Sequence, residues 1–257
     1  MNAAPRVIVH EDARLLARAV AARLITRIVD VQAERETASV VLTGGTIGIA
    51  LLAEVAAASA RDAVDWARLD VWWGDERFLP EGDPERNETQ ARQALLDLVP
   101  LDPSRVHPMP ASDGPDGDDV EAAAARHAAE LREAARPETA RSDELVEAPS
   151  FDVLLLGVGP DAHIASLFPG LPGVLEDKLT VVGVHDSPKP PPIRVSLTVP
   201  VIQAAREVWV IAAGEGKAEA VALGLSDASP STAPVATARG RETTLYLLDR
   251  DAASHLP

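Results

Sequence analysis

The sequence contains no cysteine. That excludes disulfides, thiolate nucleophiles, iron–sulfur clusters and cysteine-bound zinc. Aromatic residues make up 3% of the 257 positions, too few for a base-stacking platform. Lysine is scarce as well, with only Lys178, Lys189 and Lys217 in the chain. The 24 Lys and Arg are outnumbered by 40 Asp and Glu, a formal charge of −16. A field of that sign repels phosphate backbones and anionic bilayers, so neither a nucleic-acid nor a membrane partner is expected. An anionic small molecule would need a local cationic pocket. No apolar run approaches the ~20 residues that span a bilayer. The first ten residues are too short and polar for a signal peptide, and a cytoplasmic protein is expected.

What is present is the composition of a globular protein, 46% hydrophobic and 25% charged. The chain is long enough to bury a substantial core without staples. Short, continuous apolar runs at 6–9, 39–42, 69–73, 151–157, 180–184, 208–212 and 244–248 read as strands buried on both faces. Ala- and Leu-rich stretches at 12–33, 47–60, 88–98, 118–136 and 216–223 read as helices. This alternation predicts one α/β domain: a three-layer, mainly parallel, Rossmann-like sheet flanked by helices. Residues 111–150, acidic and turn-rich around a polar helix, are expected as a peripheral excursion that could be trimmed over 137–149. A single sheet is favoured over two domains, because neither half has enough strands to close its own core.

Five motifs carry chemistry, four of them at strand-to-loop junctions. In VVLTGGTIGI (40–49) a strand runs through Gly44, Gly45 and Thr46 into a helix. Glycines there allow close backbone approach, and free N–H groups at a helix start attract an anion. The spacing fits neither a Walker loop nor GxGxxG, and a tight turn with no ligand is the alternative. In VWWGDERFLP (71–80), Asp75, Glu76 and Arg77 lie just past a strand's carboxyl end, where open α/β sheets bind ligands. Arg77 could grip a phosphate through two N–H groups, Asp75 or Glu76 could orient it or a hydroxyl, and Asn87 could cap the next helix. A surface ion pair and a helix cap would also satisfy this pattern.

In FDVLLLGVGPDAHIASLFPG (151–170) an apolar strand ends in a glycine turn that presents Asp161 and His163. Of the six histidines, only His163 follows a buried strand through such a turn. Imidazole titrates near neutrality and is a natural general base, with Asp161 placed to hold it. SPKPPPIRVSLTVP (187–200) is a proline-stiffened segment carrying Lys189 and Arg194, either a basic flap or a rigid connector. In VWVIAAGEGKAEAVAL (208–223) Lys217 stands at a helix start, disfavoured by the dipole unless an anion docks there. Parallel strands would place all these junctions on one sheet edge. No HExxH and no histidine cluster is present, so no metal is expected.

With these residues in view, the sequence resembles the lactonase branch of the glucosamine-6-phosphate isomerase/6-phosphogluconolactonase family over nearly its whole length. The markers are LTGGT (42–46), WGDERFLP (73–80) with Asn87, GVGPDAHIASLFPG (157–170), KPPPIRVSLTVPVI (189–202) and AAGEGKAEAV (212–221). GDER combined with H-x-A-S-L-F-P marks the lactonase branch; the deaminase branch carries an acidic-aromatic motif and an FNEP-like segment instead. Ala162 stands where the family often has glycine, and Ile164 where it often has threonine.

The resemblance implies hydrolysis of 6-phospho-D-glucono-1,5-lactone in the oxidative pentose phosphate pathway, without cofactor or metal. It implies His163 as base, Asp161 as its holder and Asp75 as a positioning group. The phosphate would be held by Gly44, Gly45, Thr46, Arg77 and Lys217, with Arg194 near the sugar acid or closing the site. A monomer or weak homodimer is expected. The rival readings are a glucosamine-6-phosphate deaminase, separable by ammonia release, and a sugar-phosphate sensor. The negative charge and the five residues before the first strand argue against the sensor's DNA-binding domain.

Overall fold

The computed structural model describes residues 4–135 and 147–256. Six strands form the main sheet: β1 (Arg6–His10), β2 (Ala38–Leu42), β3 (Leu69–Trp73), β5 (Val153–Gly157), β8 (Glu207–Ala212) and β9 (Thr243–Asp249). All neighbours pair in parallel, in the order β1-β9-β8-β5-β2-β3. The central strands are unbroken apolar runs because both faces are covered, and Val153–Leu156 and Val208–Ala212 are buried throughout. Helices α1 (Ala13–Arg35), α2 (Gly45–Ala57), α3 (Asn87–Ala94), α4 (Val120–Ala134), α5 (Val199–Ala204) and α6 (Ala218–Gly224) intervene. The first begins where the Asp12 carboxylate accepts the Leu15 N–H at 2.7 Å, and its Leu16, Val20, Leu24, Ile28 and Val31 form one buried stripe.

The expected single sheet is corrected by a second, three-stranded antiparallel one, in the order β4 (Asp75–Arg77), β7 (Arg194–Leu197), β6 (Val181–Val184). Gly74 is the hand-over point. Its N–H still bonds Leu42 of β2 at 3.0 Å, while its carbonyl accepts the Leu197 N–H at 3.0 Å. The strand at 180–184 therefore belongs to this sheet and not to the main one. β4 and β7 are three and four residues long and rich in polar side chains, so no apolar run announces them. Helix α4, within the stretch expected to be peripheral, is packed into the fold. Val120, Ala123, Ala124, His127 and Leu131 form a buried stripe against β6 and β7. Most of the segment expected to tolerate trimming, 136–146, lies outside the described residues.

The chain visits the strands in an order that matters for the site. From β2 it moves to β3 at one edge, whereas from β5 it moves through β8 to β9 in the other direction. The crevice beyond the carboxyl ends of β2 and β5 is thus the topological switch point, where sheets of this kind bind ligands.

At the opposite end of β3, the His107 ring stacks on Trp72 with centroids 3.8 Å apart. Its Nδ1 meets Glu130 at 2.8 Å and its Nε2 lies 3.8 Å from Asp70. Burial disfavours the charged ring, but the hydrogen bonds to Asp70 and Glu130 outweigh it and raise the His107 pKa to about 9. A raised histidine pKa stabilises the fold fully below the unfolded value of ~6.5 and loses that contribution as pH climbs through about 9. Replacing His107 with Gln should lower stability at pH 6 by on the order of ~1–3 kcal/mol. Denaturant unfolding should show the wild-type protein losing more stability than the variant between pH 6.5 and 9. Parallel losses in the two proteins would contradict this.

Candidate active site

At the switch point, β2 and β5 are latched by the Gly157 N–H donating to Thr43 Oγ1 at 3.1 Å. The chain leaving β2 turns at Gly44 and Gly45 and starts α2, as the glycine run predicts. Gly45 has φ +79°, a conformation in which a side chain is strained, and it and Thr46 are exposed. Their N–H groups belong to the first turn of α2, which has no intrahelical acceptors for them. Gly44 is needed for a different reason: a Cβ there would stand 1.9 Å from Asn87 Oδ1.

Asn87 is not the cap that the sequence suggests. The N-cap position of α3 is Arg86, and Asn87 is the first helical residue. Its side chain instead ties three elements together. Nδ2 donates to the Asp75 carbonyl at 2.8 Å, and Oδ1 accepts from Arg77 Nη1 at 2.8 Å while abutting Gly44. Arg77 Nη1 also donates to the Glu85 carbonyl at 2.7 Å, so the guanidinium is anchored at one nitrogen. Glu76 is completely buried and accepts the N–H groups of Arg77, Asn87 and Glu88 at 2.7–2.9 Å. Burial still lifts its carboxyl to about 7 against those donors and the Arg86 charge.

The loop after β5 presents His163 on the same edge. His163 Nδ1 lies 2.6 Å from Asp161 Oδ1. Burial opposes ionisation of Asp161, but the hydrogen bond to His163 and the charges of His163 and Lys189 outweigh it and hold the carboxyl well below the ordinary range. An ionised carboxylate can only accept, so the proton of this hydrogen bond sits on Nδ1. The ring leans on Phe168, with centroids 4.4 Å apart. Ala162 (φ +66°) and Ala165 (φ +47°) both adopt left-handed backbone. The position where the family often has glycine therefore explains itself, and alanine there costs ~1–2 kcal/mol.

Asp75 is also pulled into this loop. Its Oδ2 accepts the Ser166 hydroxyl at 2.6 Å, joining the histidine loop to β4. Arg194, expected near the substrate, directs Nε to the Pro191 carbonyl and Nη2 to those of Lys189 and Pro190, each at 3.2 Å. It thereby clamps the proline segment. The segment delivers Lys189 Nζ to 3.3 Å from Asp161 and 3.4 Å from His163 Nδ1. Lys217 belongs to this side as well: burial lowers its pKa, the nearby Lys189 charge lowers it further, and Asp161 opposes.

The sequence-derived site residues thus converge on one edge in two groups. Gly44, Gly45, Thr46, Arg77 and Asn87 lie beyond β2 and β3, and Asp161, His163, Lys189 and Lys217 beyond β5 and β8. Asp75 and Arg194 brace the two groups from the second sheet, with Ser166 of the histidine loop bonded to Asp75. The roles of Lys189 and Ser166 were not legible, because the contacts that define them span 28 and 91 residues of chain. Among the described residues, no group of three or more His, Asp or Glu side chains could hold a metal ion. No helix there is long and apolar enough to cross a membrane.

Gly159 is the glycine on which the Asp161–His163 pair rests. A Cβ at that position would stand 2.0 Å from His163 Nδ1 and 2.3 Å from Asp161 Oδ1. Gly159→Ala should therefore drive the imidazole off its carboxylate and lower kcat on the order of ~10²-fold, as small misplacements of reacting groups do. A thermal melt should stay close to that of the wild type. Full activity in a folded Gly159→Ala protein would contradict this geometry.

Residues 11–247 match the family model described as glucosamine-6-phosphate isomerases/6-phosphogluconolactonase. The 6-phosphogluconolactonase of Streptomyces coelicolor is 66% identical over 257 residues, 100% of this chain and 97% of the relative. That of Mycobacterium tuberculosis is 48% identical over 249 residues, 97% of each chain. Among solved structures, 6-phosphogluconolactonase from Trypanosoma brucei superimposes with a TM-score of 0.83 at 30% identity, covering 98% of this chain and 99% of that one. A match that begins at the first helix and ends in the last strand takes in both groups of site residues: the chain belongs to the glucosamine-6-phosphate isomerase/6-phosphogluconolactonase family.

Proposed function

We propose that the chain hydrolyses 6-phospho-D-glucono-1,5-lactone to 6-phospho-D-gluconate, the lactone-opening step of the oxidative pentose phosphate pathway. The observation that carries the reading is the Asp161–His163 pair at 2.6 Å, standing beside a cation-lined crevice in a protein of net charge −16. The 66% and 48% identical lactonases support the substrate class.

In this reading His163 Nε2 takes a proton from water as the water oxygen bonds to C1 of the lactone. Asp161 keeps the ring in that tautomer and stabilises the imidazolium as it forms. The carbonyl oxygen gains negative charge, and the ammonium groups of Lys189 and Lys217 on the same side would stabilise it. The C1–O bond to the ring oxygen then breaks, and His163 returns its proton to that oxygen, which becomes the 5-hydroxyl. The product carboxylic acid ionises to solvent.

The 6-phosphate would lie on the other group, on the Gly45 and Thr46 N–H groups and the Arg77 guanidinium. β3 and β8 are separated by three strand spacings of ~4.8 Å each, so Arg77 and Lys217 approach the crevice from opposite sides. They would address opposite ends of the sugar, not share one phosphate. Asp75 is 8% exposed and bound to Ser166, which suits a positioning group better than a base.

Two variants test the assignment. Arg77→Ala should raise KM for the phosphorylated lactone by about tenfold or more, equivalent to ~1.5–3 kcal/mol for a charged hydrogen-bond partner, while sparing the unphosphorylated lactone. His163→Asn should lose ~10²–10⁴ in kcat with little change in KM, after subtraction of spontaneous hydrolysis. A folded His163→Asn protein with wild-type turnover would remove His163 from the mechanism.

A further inference from the structure

Among the described residues, Glu76 is the one fully buried carboxylate at this edge, and nothing in the proposed chemistry uses it. It is 0% exposed, so it cannot touch a substrate. A buried carboxylate is costly unless what it holds offsets the lost hydration. What it holds is specific. Oε1 accepts the N–H of Arg77 at 2.8 Å from its own strand and that of Asn87 at 2.7 Å from α3. Oε2 accepts the Glu88 N–H at 2.9 Å, and Arg86 Nη2 stands 4.0 Å away. Arg86 is itself buried and donates to the carbonyls of Leu79, Met109 and Pro110.

We infer that Glu76 is a positioning residue for the phosphate end of the site: it staples the first turn of α3 to β4, so that Asn87 presents its Oδ1 to Arg77 Nη1 and seats against Gly44. The inference rests on the reading of Arg77 as the phosphate ligand. The chain of contacts is short and continuous. Glu76 fixes the Asn87 backbone; Asn87 fixes the Arg77 guanidinium at 2.8 Å and packs on the turn that carries the α2 N–H groups. Both halves of the phosphate cradle, a side chain from β4 and a helix start from α2, are thus registered through one carboxylate. None of these contacts reaches His163, Asp161 or Lys189, so the effect should be selective for substrates that carry a phosphate.

Glu76→Gln keeps shape and volume. Its oxygen can still accept from Arg77 and Asn87, but its NH₂ faces the Glu88 N–H, donor against donor, and the turn must shift. Steady-state kinetics of Glu76→Gln and Arg77→Ala should be measured with phosphorylated and unphosphorylated gluconolactone, alongside thermal melts. For Glu76→Gln, KM for the phosphorylated lactone should rise about tenfold with kcat within about twofold, the pattern of lost ground-state binding. The kcat/KM for the unphosphorylated lactone should not move. Equal losses on both lactones, or no loss on either, in a folded variant would overturn the inference. If Glu76→Gln does not fold, Asn87→Ala carries the test through the next link, with a phosphate-selective rise expected and an equal loss on both lactones overturning it. If both variants fold, the double variant should be no worse than the weaker single, since the two act on one path; additive losses would overturn the relay. An Arg77→Ala protein with unchanged KM would instead sink the phosphate reading itself.

Discussion

The reversal of strand order between β2 and β5 governs this molecule. Parallel strands deliver their carboxyl ends to one edge, and the reversal opens a crevice between two of them. The latch from Gly157 to Thr43 Oγ1 closes the floor of that crevice. Loops that leave β2, β3, β5 and β8 then rise around it, so residues as distant as Gly44 and Lys217 come to one edge of the sheet. The second sheet depends on the same edge: β3 passes through Gly74 into β4, which carries Asp75, Glu76 and Arg77.

Electrostatics follow from this placement. The protein as a whole repels anions, yet Arg77, Lys189, Arg194 and Lys217 gather where the strands end. Two of the three lysines in the chain stand close enough that the charge of Lys189 lowers the pKa of Lys217. Like charges held together are unfavourable without a counter-charge, and Asp161 supplies part of it at 3.3 Å from Lys189. A carboxylate there has a second use, because it also fixes the His163 tautomer. The same oxygen thus joins the cationic side of the crevice to the His163 imidazole.

Much of this was legible in the sequence. Apolar runs revealed all six parallel strands; β5 and β8 are the clearest, since a strand buried on both faces has no room for polar residues, whereas β1 is an exposed edge strand. The glycine turn after β2 and the Asp161–His163 pair were legible because they lie within a few residues of a strand end. β4, β7 and α5 were not, being three to six residues long and, in the strands, polar where they meet the site. Arg194 shows the limit most clearly. Its charge suggested a ligand, but two of its nitrogens hold the carbonyls of Lys189, Pro190 and Pro191, which only the folded chain reveals. Asn87 was assigned to a cap for the same reason: its helix start was visible, but not the approach of Arg77 and Gly44.

The central claim is that water, deprotonated by His163, attacks the lactone carbonyl directly, with Asp75 and Asp161 serving only to position. A single turnover in ¹⁸O water with enzyme in excess, quenched and analysed by mass spectrometry, tests it. The account predicts one ¹⁸O in the carboxylate of the first-turnover product and none in the protein. An unlabelled first product, with ¹⁸O appearing instead in the Asp75 or Asp161 side chain, would show attack by a carboxylate and contradict the account.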